Sequence, residues 1–64
     1  MFEVYEVVQL KCDLDDKGLK KGDRGAIVMV YPGRQPEYEV EFVDQDGKTI
    51  AVETVSGEHL IKAL

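Results

Sequence analysis

Polar and apolar residues alternate along most of this chain, and helical spacing is nearly absent. Val8 and Leu10 stand two apart with Gln9 and Lys11 beside them, which predicts a first strand over residues 5–11. Its inward side chains are Val8 and Leu10, with Val4 or Tyr5 closing one end. The polar run from Cys12 to Asp23 carries two glycines and reads as a long loop, anchored by Leu14 and more firmly by Leu19. Arg24–Tyr31 is a second strand with two apolar faces, Ala26, Val28 and Val30 on one and Ile27, Met29 and Tyr31 on the other. Pro32 to Pro36 is a turn, and Glu37–Val43 then alternates cleanly, Tyr38, Val40 and Phe42 inward against Glu37, Glu39 and Glu41 outward. Asp44-Gln45-Asp46-Gly47 makes a hairpin loop. Residues 48–54 form a fourth strand with Ile50 and Val52 inward, its hairpin placing Glu41 near a lysine or threonine. A single 3-10 turn follows near Ser56 to His59, then a closing strand over residues 60–63 anchored by Leu60.

This order predicts an all-β fold, a small five-stranded SH3-like barrel with a single 3-10 turn before the last strand. The expected interior is Val8, Leu10, Val28, Val30, Tyr38, Val40, Phe42, Ile50 and Val52. Sixty-four residues allow one domain. A core this thin supports a stability of roughly 3–5 kcal/mol. The doubly apolar second strand leaves two readings open. Either a bulge near Gly25 turns both faces partly inward, or Ile27, Met29 and Tyr31 form a contact surface for another chain.

Charge narrows the partners. Thirteen acidic residues stand against eight basic ones, a formal net charge of −5. Nucleic acid and anionic membranes repel such a domain unless its cations cluster, whereas a basic protein is attracted. No apolar run approaches the roughly 18 residues that span a bilayer. One cysteine and an N-terminus without a basic or apolar leader make the cytoplasm the expected location.

The chemistry-bearing residues do not assemble into a site. One histidine, His59, and one cysteine, Cys12, cannot build a four-ligand zinc centre. His59 lacks an orienting partner for base catalysis and reads as a turn residue. Cys12 lies between Lys11 and Asp13, whose effects on its thiol oppose each other, and reads as a small, partly buried side chain. The Asp13, Asp15 and Asp16 cluster departs from the calcium-loop pattern, since Lys17 takes an early ligand position. Tyr5, Tyr31 and Tyr38 do not define an aromatic cage, because Tyr38 alternates with core residues. A 64-residue barrel is also expected to enclose little pocket volume. The reading is therefore no enzyme, no cofactor and no metal. Lys20, Lys21 and Arg24, with Lys17 nearby, form the one basic cluster, and Tyr31 and then Tyr5 are the aromatics that could stack bases beside it.

The stretch Leu19-Lys20-Lys21-Gly22-Asp23-Arg24-Gly25-Ala26-Ile27-Val28 resembles the loop and second strand of many SH3-like barrels, KOW-type domains included. Continued through Val30, and with Tyr38-Glu39-Val40-Glu41-Phe42, Asp46-Gly47-Lys48-Thr49 and Leu60, the chain resembles the small bacterial domain of unknown function DUF4926. That resemblance implies a stand-alone cytoplasmic SH3-like barrel encoded beside a toxin-like partner, and hence an antitoxin or immunity role. Three function classes follow. The first is a protein-binding module for a basic partner, using Ile27, Met29, Tyr31, Glu37, Glu39 and Glu41, with weak homodimerisation compatible with it. The second is nucleic-acid binding through Lys20, Lys21 and Arg24. The third is a small accessory subunit of a larger enzyme complex.

Overall fold

The computed structural model describes residues 1–63. Among them are five strands, β1 (Val7–Leu10), β2 (Arg24–Tyr31), β3 (Glu37–Val43), β4 (Thr49–Ser56) and β5 (Leu60–Lys62), and two 3-10 turns, Asp15–Lys17 and Gly57–His59. All strands belong to one antiparallel sheet in the order β4-β3-β2-β1-β5. The all-β, five-stranded expectation holds, as does the 3-10 turn before the last strand. Hydrogen bonding stays open between β4 and β5, so the sheet does not close into a full barrel.

A flat single sheet cannot remove side chains from water without a second layer. Here Val8, Leu10, Ile27, Tyr38, Val40, Phe42, Val55 and Leu60, drawn from all five strands, share one buried cluster. The sheet therefore curls around its own inner face. Leu19 completes the core from the long loop, where it bridges Leu14 across the 3-10 turn. Gly25 makes the curl possible. It is paired with Val8 on one side and Phe42 on the other, and a Cβ there would stand 2.6 Å from the Glu41 carbonyl oxygen and 2.7 Å from Val40. Only hydrogen lets the strands approach this closely.

Three parts of the expected interior need correction. The β2–β3 register slips between Ile27 and Met29, which leaves Val28 without a cross-strand partner. This bulge reverses the alternation. Gly25 and Ile27 point inward before it and Val30 packs against the core after it, whereas Val28 is exposed. The bulge expected near Gly25 thus lies three residues further on. A second slip separates Phe42↔Ala51 from Val43↔Thr49 and skips Ile50. Along β4, Ala51 and Val55 face the core, while Ile50 and Val52 are exposed. Small Ala51 sits opposite large Phe42, so volume across the pair is shared between the two.

The first strand begins later than expected. Glu3–Glu6 is a turn, closed by the Glu6 N–H donating to the Glu3 carbonyl at 3.0 Å. Tyr5 lies in that turn at φ 71, a left-handed conformation that a tyrosine rarely adopts, and is exposed like Val4. Its N–H donates to the Ile27 carbonyl at 2.6 Å, which ties the turn to the β2 bulge. Phe2 stacks edge-on against Tyr38 with ring centroids 5.3 Å apart, and its N–H donates to the Tyr38 hydroxyl at 3.0 Å.

Candidate functional site

The outer face of β2, β3 and β4 gathers most of the residues expected to bind protein. Directly paired residues project to the same face of a sheet, about 5 Å apart. Met29 pairs with Glu39 and Tyr31 with Glu37, so the two apolar side chains run alongside the acidic row of β3. Met29 is 51% exposed and Tyr31 41%. Ile27 does not join them. It is fully buried, because the bulge puts it on the inner parity. Val28 takes its place in solvent, and on β4 Val52 pairs with Glu41 to extend the face. Alternation alone reads both Val28 and Val52 as inward; the β2 bulge turns Val28 out, and the register with Glu41 turns Val52 out.

Glu37, Glu39 and Glu41 stand two residues apart on one strand face. Their backbone spacing of about 7 Å makes each adjacent pair repel by roughly 0.6 kcal/mol in water. Two threonines of β4 offset part of this. Thr54 donates its hydroxyl to Glu39 at 2.6 Å, and Thr49 donates to Glu41 at 2.5 Å. This is the expected cross-strand pairing of Glu41 with a threonine. Both carboxylates are thereby drawn toward β4.

The basic cluster lies elsewhere. Lys20 Nζ is 3.1 Å from Asp15, and Lys17 Nζ is 3.4 Å from Glu53 on β4. Lys21 and Arg24 are exposed. Arg24 and Tyr31 occupy opposite ends of β2, roughly 20 Å apart at strand spacing. The structure therefore does not bring Tyr31 beside the lysines. The loop aspartates are occupied with shaping the chain. Asp13 accepts the Lys21 N–H at 2.8 Å, and Asp23 accepts the Lys20 N–H at 2.9 Å. Among the described residues no group of three or more His, Cys, Asp or Glu side chains is placed to hold a metal ion.

His59 sits in the second 3-10 turn with its Nε2 3.6 Å from the Glu58 carboxylate, closer than adjacent residues of an extended segment would stand. Cys12 is half-buried. Two clefts are open to solvent. One, of about 320 Å³, lies over Phe2, Pro36, Tyr38 and Gly57; the other, of about 650 Å³, lies between Asp23, Arg24, Asp44 and Ile50. Neither His59 nor Cys12 lines them. The titration that the fold perturbs most clearly is at Glu6, held below its ordinary value by the Glu3 N–H and by Lys62, whose Nζ is 3.3 Å away. No helix among the described residues is long and apolar enough to cross a membrane.

No curated protein matches the chain. The sequence profile of a domain of unknown function, DUF4926, matches residues 4–62, a span that takes in all five strands. The chain belongs to the DUF4926 family.

Proposed function

We propose that this chain is a non-enzymatic, cytoplasmic protein-binding module whose outer sheet face takes a basic protein partner. The observation that carries the reading is the register of Met29 and Tyr31 with Glu39 and Glu37 on an exposed face. Apolar side chains supply contact area, and the acidic row supplies complementarity and steers encounter. A cationic partner also relieves the repulsion among the three glutamates. The specific form of this proposal is an antitoxin or immunity protein that neutralises a basic toxin-like partner, the role that the family resemblance implies.

Affinity capture from the native host tests it, using the wild-type chain beside two variants, Met29→Lys/Tyr31→Lys and Glu37→Gln/Glu39→Gln/Glu41→Gln. All five positions are exposed or half-buried, so both variants are expected to fold. A stoichiometric basic protein should be held by the wild type and lost from both variants. Its retention should fall as salt rises from about 0.05 to about 0.5 M. A partner held equally by all three proteins, or a stoichiometric nucleic acid in place of a protein, overturns the proposal.

A further inference from the structure

The two edges of the sheet are built differently. β5 is three residues long and ends on Lys62, which pairs with Glu6. β4 has eight residues, and among the described residues no strand pairs with its far side. Alternate backbone N–H and C=O groups of an antiparallel edge strand point away from its one neighbour and can template another strand. Edge strands are ordinarily guarded by lysine, proline, a bulge or shortness. β4 contains neither lysine nor proline. Its guards are Glu53, which stands opposite Val40 and is held at the rim by Lys17, and a bulge at Ile50 near one end, which together leave the segment from Thr54 to Ser56 and the outer face unguarded.

Charge says what this edge would accept. Thr54 and Thr49 draw the carboxylates of Glu39 and Glu41 toward β4, closer to the edge than their own backbone. An added strand lies about 4.8 Å beyond β4, within reach of these carboxylates for a lysine or arginine on its outer face. A second copy of this chain, also at net charge −5, would bring a like-charged set to the same seam. We propose that the free edge of β4 takes up an extended, basic segment of the partner protein as a sixth strand. Backbone hydrogen bonds would hold the segment, and Glu39 and Glu41 would select its alternate cationic side chains. The inference rests on the reading of this chain as a binder of a basic protein, and it names the mode of that binding.

The test uses a synthetic nine-residue peptide of alternating lysine and valine, capped at both ends, with the isotope-labelled full chain observed by NMR. The expected result is slowed amide exchange at alternate residues of Thr49–Ser56 and cross-strand contacts to the peptide. The same peptide methylated on every backbone nitrogen should not bind, and Glu39→Gln/Glu41→Gln should weaken the unmodified peptide roughly fivefold. Each of these results overturns the proposal: no binding at millimolar peptide, equal binding of the methylated peptide, or binding that moves only Met29 and Tyr31 signals and leaves β4 exchange unchanged. The last of these leaves the face-binding proposal standing. Sedimentation as a dimer with β4 amides already protected, before peptide is added, overturns the proposal in favour of self-pairing.

Discussion

β3 and β4 are neighbours in one sheet and pair along most of their lengths, but only β3 alternates strictly, whereas β4 carries apolar residues on both faces. In β3 every outward expectation and every inward one is met, with Tyr38, Val40 and Phe42 all buried to within 1% exposure. In β4 the expected inward residues, Ile50 and Val52, are the exposed ones. The difference lies in the cost of the wrong face. Turning β3 over would bury three glutamates, each at a cost of several kcal/mol or more, so roughly 10 kcal/mol decides its parity. Turning β4 over exchanges Ile50 and Val52 for Ala51, Glu53 and Val55, a difference of about 1–3 kcal/mol in apolar burial, with half-buried Glu53 reaching the rim rather than the interior. Packing against Phe42 and the Lys17–Glu53 pair at the rim can outweigh that. Alternation therefore settles a strand's face only where charge blocks the alternative.

The comparison can be broken or sharpened by substitution. Ile27→Lys should give the largest effect, loss of cooperative unfolding altogether, because a buried unpaired ammonium costs more than the roughly 3–5 kcal/mol that a domain of this size has. Val28→Lys, one residue along and turned to solvent at the bulge, should leave the thermal midpoint within a few degrees. Equal tolerance of the two would remove the bulge from the account. Phe42→Ala should cost about 3–5 kcal/mol by denaturant titration, and Ile50→Ala no more than about 0.5 kcal/mol. If Ile50→Ala proves the costlier, β4 lies the other way up.

Gly25→Ala should cost about 1–3 kcal/mol, since the new methyl meets the Glu41 backbone rather than a mobile side chain. Tyr5→Gly should raise stability by about 1 kcal/mol by relieving the left-handed tyrosine, and a loss in its place would assign the ring a packing role. The smallest effect is in acid. Glu6 titrates below its ordinary value of 4.5 in the folded chain, so its contribution is complete above about pH 4.5. It is lost as pH falls through the lower folded value. Glu6→Gln should flatten the stability profile in that window and leave neutral pH almost unchanged, which a denaturant series across pH 3–6 (about one unit steps) reads directly.

The exposed face of β2, β3 and β4 divides in the same way between legible and hidden. Spacing places Glu37, Glu39 and Glu41 outward because charge sets the parity of β3, and Met29 and Tyr31 share that face through their register with Glu39 and Glu37. Ile27 was misplaced, and Val28 and Val52 were missed, because each is adjacent to a bulge or on a strand whose faces differ little. The threonine hydroxyls that pull Glu39 and Glu41 toward β4 depend on the cross-strand register, which no single strand contains.

Strand order along the chain, the turns, the β3 parity and the acidic character follow from local composition and from the cost of burying charge. Those are properties of short segments, and a sequence displays them. The two bulges, the inward turn of Ile27, the exposure of Ile50 and Val52 and the open β4 edge were decided only in the folded sheet. There a single residue's slip in register is set by volume and by hydrogen bonding between paired strands, which neither strand holds alone.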